Sequence, residues 1–183
     1  MARWWTLAAE DLRALSGKPL RPVGLVADLA VRAPWRATLM WRAAQACMQR
    51  SWQKPLGLWL TDRILSSCGA ELQPSCTIGP GVVISEAVGV VVGGEVVAGR
   101  SLVLHRGVTL GDRVPYGGQP RLGDDVVVGA GACVLGPVTI GDRVVIAPHS
   151  VVLADVPSDS SVAGAPARVV GPASEEREPS AVR

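Results

Sequence analysis

The sequence predicts an α+β protein: an α-helical region over residues 1–70, then a parallel β-helix of hexapeptide repeats over residues 71–171. Two observations carry this. In LGDDVVVGAGACVLGPVTIGDRVVI an aliphatic residue returns every six positions, at Leu122, Val128, Val134, Ile140 and Ile146, and then at Val152. Neither a helix, with a period near 3.6, nor a strand, with a period near 2, explains that spacing. Composition is also split: Trp4, Trp5, Trp35, Trp41, Trp52 and Trp59 all precede the repeats, and the chain has no Phe and one Tyr. A stack of aliphatic layers needs little aromatic packing, whereas docked helices use it.

In the first region Ala, Leu, Arg and Trp dominate, and prolines at 19, 22, 34 and 55 act as punctuation. Helices are expected near 6–15, 23–32, 35–51 and 55–68. PWRATLMWRAAQACMQRSW spaces Leu39, Arg42, Ala43 and Cys47 helically, so one face should be apolar and another should carry the arginines. The Trp and Met residues read as core or subunit contacts.

From Cys76 the six-residue period takes over. One register holds Ile78 and Ile84; a second holds Val92, Ala98, Leu104 and Leu110; a third runs from Leu122 to Val152. Small or β-branched residues follow four positions later, among them Val82, Val88, Val96, Val126 and Val144. A Gly or small residue usually comes directly after the first position, as at Gly79, Gly99, Gly129 and Ala147, where tight turns and positive φ would favour it. Each hexapeptide supplies one strand and a turn, and three make a triangular coil. Two register breaks mark places where chain leaves the prism. AVGVVVGG holds two extra residues between Ile84 and Val92, and the Pro- and Gly-rich GDRVPYGGQPR predicts an extruded loop near 111–121.

Several classes are excluded. A net charge of +2 does not suit a nucleic-acid binder. Cys47, Cys68, Cys76 and Cys133 form no CxxC pair or metal-ligand spacing and read as free thiols of a reducing compartment, so a cytoplasmic protein without a bound metal is expected. Glu10 and Asp11 interrupt the N-terminal segment too early for a secretory signal, and no apolar run reaches the roughly 18 residues of a membrane span. GAGACVLG lacks the strand–turn–helix context of a dinucleotide loop. No GxxxxGK[ST], HExxH or serine nucleophile elbow is present.

CTIGPGVVISEAVGVVVGG, then GVTLG, VVVGAGACVLGPVTIGDRVVIAPHSVVL and DVPSDSSVAGAPARVVG, together resemble the serine O-acetyltransferases, members of the hexapeptide-repeat acyltransferases. The resemblance covers about residues 36–171 and implies a left-handed β-helix, against the usual right-handed crossover. It further implies acetyl-CoA as co-substrate, no permanently bound cofactor, a small hydroxyl compound as acceptor, and a homotrimer or dimer of trimers. Coenzyme A would lie in a groove between prisms, and Gly129, Ala130, Ala147 and Arg168 match that groove. A second reading of the three small residues, as ordinary turn positions, stays open.

The family's catalytic histidine position is Glu86 here, and its carboxylate partner position is Glu71. An Arg–His pair that positions the amino-acid acceptor is matched by Gly118 and Gln119. These departures put serine as acceptor in doubt. If one coil spans three hexapeptides plus the two-residue insertion, Leu104 stacks on Ile84, Arg106 on Glu86 and His105 on Ser85. Then Glu86 either pairs with Arg106, or crowds Glu71 so that one carboxyl titrates higher, or leaves His105 as the base. Arg106 or Arg113 could attract an acidic group on the acceptor, and His149 reads as surface. A catalytically inactive homologue, acting as scaffold or regulatory partner, is the alternative to an enzyme. The tail 172–183 reads as disordered. Since it ends in Arg183 where related enzymes present an Ile to a sulfhydrylase, that docking is not expected.

Overall fold

A computed structural model of the protein describes residues 4–16, 33–48, 51–115 and 117–173. The helix expected near 23–32 and the tail from residue 174 lie outside these described residues. Three α-helices are described: α1 (Trp4–Ser16), α2 (Ala33–Met48) and α3 (Lys54–Cys68), the last preceded by a 3₁₀ turn at Ser51–Gln53. Pro55 in the first turn of α3 and left-handed Gly69 at its end fit the usual chemistry of helix termini. None of these helices is long and apolar enough to cross a membrane.

The rest is a left-handed β-helix of about five coils. The first coil holds β1 (Glu71–Leu72), β2 (Thr77–Ile78) and β3 (Val83–Ile84); the second β4 (Val91–Val92), β5 (Val97–Ala98) and β6 (Val103–Leu104). The third holds β7 (Thr109–Gly111), β8 (Arg121–Leu122) and β9 (Val127–Val128), and the fourth β10 (Cys133–Leu135), β11 (Thr139–Ile140) and β12 (Val145–Ile146). The last coil has β13 (Val151–Val152), a bridge at Val156, and β14 (Ser160–Gly164), onto which β15 (Ala167–Pro172) folds back antiparallel. Strands stack in parallel into three faces: face A is β1-β4-β7-β10-β13, face B is β2-β5-β8-β11, and face C is β3-β6-β9-β12-β14-β15.

Every residue of the six-residue register points inward. Leu72, Val92, Leu110, Val134 and Val152 form the column of face A, and Ile84, Leu104, Val128, Ile146 and Val162 that of face C, none more than 2% exposed. Val88 departs from the pattern. The two extra residues push it out to 68% exposure, and Val90 fills the interior instead. The glycines after the inward residue also serve another purpose than the one expected. Left-handed φ occurs two positions later, at Gly81, Gly107 and Gly131. Gly79 and Gly129 are required by close stacking instead: a β-carbon on Gly79 would lie 2.5 Å from the Gly99 oxygen, and one on Gly129 2.6 Å from the Pro148 nitrogen. Pro172 and buried Ala173, whose N–H donates to Asp159 O, extend the ordered end two residues into the segment read as tail.

A solenoid leaves the backbone groups on the open side of its first coil without partners. Here α1 and α2 supply them. Trp41 Nε1 donates to Gln73 O, Gln45 Nε2 to Cys76 O, and Arg42 to Ile78 O at 2.9 Å and Gly79 O at 2.6 Å. Asp11 Oδ1 accepts the N–H groups of Gly81 and Val82, at 2.8 and 3.0 Å. A salt bridge of 2.7 Å between Arg42 Nε and Asp11 Oδ2 joins the two sets, with both side chains at most 1% exposed. Arg42 therefore sits on the buried face of α2, not on the solvated face expected for arginines. The orphan carbonyls need a multi-donor cation, and Asp11 neutralises it. Burial raises the Asp11 carboxyl above its ordinary range, while Arg42 and the two backbone donors pull it down.

Ser150 takes an interior position that Val90, Val108 and Ala132 hold in other coils, and its Oγ has no hydrogen-bond partner among the described residues. Two outcomes are expected in urea unfolding. Arg42→Ala strands a buried carboxylate and costs about 3–5 kcal/mol, whereas Ser150→Ala removes an unsatisfied hydroxyl and leaves stability equal or higher.

Candidate functional site

The turn that leads from face C to face A recurs in each coil, and these turns stack into a single corner of the prism. Ile84 pairs with Leu104, Leu104 with Val128, and Val128 with Ile146. The residues that follow therefore stand in columns: Ser85, His105, Gly129 and Ala147 in one, and Glu86, Arg106, Ala130 and Pro148 in the next. Backbone bonds fix this order, with Ser85 N–H donating to Leu104 O at 2.9 Å and His105 N–H to Val128 O at 3.1 Å. Six of the seven residues singled out from the sequence (Glu86, His105, Gly129, Ala130, Ala147 and Glu71) thus fall at or beside one corner. Arg168 is brought to its C-terminal end by β15, where it pairs with Ala163.

Glu86 and Arg106 meet as the stacking step demands. Arg106 Nη1 lies 3.5 Å from Glu86 Oε2, with the side chains 69% and 59% exposed. Glu71 begins β1, beside Val91, and its carboxylate accepts from Gln73 Nε2 at 3.3 Å. Each carboxylate thus has its own partner, which disfavours the crowding of Glu71 against Glu86. His105 is half-buried between Leu104 and Arg106, beside both Ser85 and Gly129 in the column.

The backbone of the small-residue column is largely committed to the stack. Gly129 N–H donates to Ile146 O, Ala147 N–H to Val162 O, and Gly129 O accepts from Ala132. Gly129 has no room for a side chain, since a β-carbon there would lie 2.7 Å from Ile146 O and 2.9 Å from the Ala147 carbonyl carbon.

The loop, residues 112–120, leaves at a different corner, between faces A and B. Gln119 is held there by structure: its Oε1 accepts the Glu95 N–H at 2.7 Å, and it packs against Gly93. The Gln119 side chain thus closes a turn of the coil beneath. Within one chain Arg113, on this loop, belongs to another corner than Glu86 and His105.

His149, read from the sequence as surface, is indeed exposed. It stands in the same corner at φ 57, in the left-handed position held by Gly89, Gly107 and Gly131 in the coils below. Its repeat position was readable, since it lies eighteen residues after Gly131 in phase with the hexapeptides. A separate groove of about 1060 Å³, lined by Trp4, Trp5, Cys47, Lys54 and Cys76 among others, lies between the helices and the first coil. It holds none of the expected site residues. Burial pushes its Cys76 thiol up to about 12, so that thiol stays protonated and is no nucleophile. Among the described residues no group of three or more His, Cys, Asp or Glu could hold a metal ion.

The model of the bacterial transferase hexapeptide family (six repeats) matches residues 119–154. Serine acetyltransferase 1, chloroplastic, of Arabidopsis thaliana is 39% identical over 121 residues, which are 65% of this chain and 38% of that one. The serine acetyltransferase of Synechococcus elongatus is 45% identical over 104 residues, 56% of this chain and 43% of its own length. The chain thus spans about two fifths of the length of these curated relatives. Among solved structures, soybean serine acetyltransferase apoenzyme superposes with a TM-score of 0.81 at 36% identity, covering 91% of this chain and 69% of that one.

Unfolding measurements separate structure from chemistry at these positions. Glu86→Gln should change stability by about 1 kcal/mol or less, as for other exposed ion pairs. Gln119→Ala should cost about 1 kcal/mol by leaving the Glu95 N–H without its acceptor. A loss several times larger at Glu86 would make the pair a structural element.

Proposed function

The chain belongs to the hexapeptide-repeat acyltransferases of the serine acetyltransferase type, and on that basis we propose that it is an acetyl-CoA-dependent O-acetyltransferase acting on a hydroxyl compound other than free serine. The observation that carries the proposal is the corner between faces C and A. There the column of Gly129, Ala130 and Ala147 leads from His105 and Glu86 toward Arg168. A thin pantetheine arm suits a surface of small residues, and a guanidinium at its far end suits phosphates. The acceptor side has changed instead: Glu86 is paired with Arg106, and Gln119 is spent on Glu95.

In the reaction a base removes the proton of the acceptor hydroxyl as its oxygen attacks the thioester carbonyl carbon. The tetrahedral intermediate then expels the coenzyme A thiolate, which takes the proton back from the base. His105 is the proposed base, because an imidazole nitrogen can accept the hydroxyl proton and the ring stands in the corner beside the Glu86–Arg106 pair. Glu86, held by a guanidinium, is the weaker candidate; with Arg106 it would orient a polar acceptor. Glu71 would bind acceptor hydroxyl or amino groups from below.

Assembly as a homotrimer, or a dimer of trimers, is part of this reading. On face C Val103 and Val127 point outward, while Val83 packs against Leu12, Leu15 and Trp35 and Val145 is buried; face A presents Glu71, Val91, Thr109, Cys133 and Val151, and face B Thr77, Val97, Arg121 and Thr139. Packing of faces A and C against neighbouring prisms would enclose the corner and bring a neighbour's loop to it.

A second reading, a non-catalytic homologue used as scaffold, is favoured by the same ion pair and by the commitment of Gln119. Calorimetric titration with acetyl-CoA and thiol release with a panel of hydroxylated acceptors separate the two. The enzyme reading expects binding and acceptor-dependent release of free coenzyme A. His105→Ala should lower kcat by about 10²–10⁴-fold, with a smaller loss for Glu86→Ala. Binding without release across the panel would favour the scaffold.

A further inference from the structure

We propose that Ser85 is itself an acetyl acceptor: when no external acceptor is bound, its hydroxyl takes the acetyl group of acetyl-CoA, with His105 as the base. This rests on the coenzyme A reading above and adds to it a covalent modification site. Ser85 and His105 hold equivalent turn positions in the first and second coils. Their strands are in register, Val83 with Val103 and Ile84 with Leu104, and Ser85 N–H donates to Leu104 O at 2.9 Å. Equivalent positions of adjacent coils stand about 4.8 Å apart with their side chains alongside one another. A change of Ser85 χ1 alone therefore carries its Oγ toward or away from the ring.

Both residues are half-buried, and both side chains are unspent. No hydrogen bond among the described residues engages Ser85 Oγ or the His105 ring, whereas the hydroxyls of Thr38, Thr61 and Ser161 are given to backbone carbonyls. What surrounds the ring selects its partner. Gly129, one coil above, carries no side chain and has no room for one. In the neighbouring column Glu86 is held by Arg106 at 3.5 Å. In its own column the imidazole is left with one neighbour that has a proton to give, and that neighbour is Ser85.

Acyl transfer also needs donors for the oxygen on which negative charge develops. The N–H groups of Glu86 and Arg106 directly follow Ser85 and His105 in the chain. Among the described residues neither is used in the ladder between coils, so both remain for a carbonyl oxygen placed at this corner. In the step, Ser85 Oγ attacks the thioester carbonyl carbon while His105 takes the hydroxyl proton. The carbon–sulfur bond then breaks, coenzyme A leaves as the thiolate, and His105 returns the proton to it. One ester is made on Ser85 for each thioester consumed, with no change of oxidation state.

The test is incubation of the full chain with acetyl-CoA and no acceptor, read by intact-protein and peptide mass spectrometry, for the wild type, Ser85→Ala and His105→Ala. Calorimetric titration with acetyl-CoA checks donor binding in each, and melting curves check folding. Ser85 enters the ladder through its backbone alone, so its alanine variant should fold. Expected are one acetyl group per chain on the peptide that holds Ser85 and one equivalent of coenzyme A released. Ser85→Ala should lose that label, and His105→Ala should acquire it more slowly by a factor on the order of a hundred or more. Donor binding with no acetyl group on Ser85 would overturn the proposal and leave the donor reading standing. So would acetyl groups confined to lysines, or a labelling rate that is the same in His105→Ala as in the wild type. Absence of acetyl-CoA binding in the wild type would instead remove the donor reading, and this inference with it.

Discussion

The hydrogen-bond ladder between coils is the constraint from which the rest follows. Strand residues donate to the coil above, as Thr77 N–H does to Val96 O. The left-handed corner residues donate to the coil below, as Ser101 N–H does to Pro80 O. Such a ladder has no natural beginning. The lowest coil needs both donors and acceptors from elsewhere, and it meets them in α2 and α1. Asp11 receives Gly81 N–H where a carbonyl like that of Pro80 serves the coil above. Trp41, Arg42 and Gln45 serve the carbonyls. The helical region thus imitates a missing coil, and the buried Arg42–Asp11 pair keeps both halves of the imitation in register. At the other end β15 turns back on β14 and closes the stack.

The same ladder orders the side chains of each corner. Side chains at equivalent turns are held one coil apart, so a residue's chemistry acts through its neighbours in the column. The corner carries Glu86 and Arg106 low in the stack and the small residues Gly129 and Ala130 in the coil above. The corner between faces B and C was used differently. There Asp124 and Asp142 accept backbone N–H groups from Arg100 and Asp124, and the column is a brace. Two corners built on one rule have been given over to different tasks.

Much of the fold was legible because the repeat is local and iterated. One misread hexapeptide does not change the period, and the inward columns at Leu122, Val128 and Val134 agree with one another. The pairing of Glu86 with Arg106 was also within reach, since it needs only the count of residues per coil. Positions set by a single event were harder. Val88 reads as interior until the two-residue insertion displaces it. The glycines at 79 and 129 read as turn-formers, although the close approach of the next coil is what excludes a side chain. Arg42 reads as solvated because nothing local says that carbonyls without partners await it.

The sequence by itself determined the three-sided stack, its aliphatic interior, the points where chain leaves it, and the family it resembles. The first three are written in spacing and composition, and the last in motifs such as GVTLG and AGAPARVVG. Tertiary structure alone decided that Arg42 and Asp11 are buried together and that Gln119 closes a turn on Glu95. The reason is the length of chain between the partners. The repeats specify contacts one coil apart, whereas Asp11 meets Gly81 across seventy residues and Gln119 meets Glu95 across an extruded loop. No periodic signal spans such separations, so only the folded chain could bring those groups together.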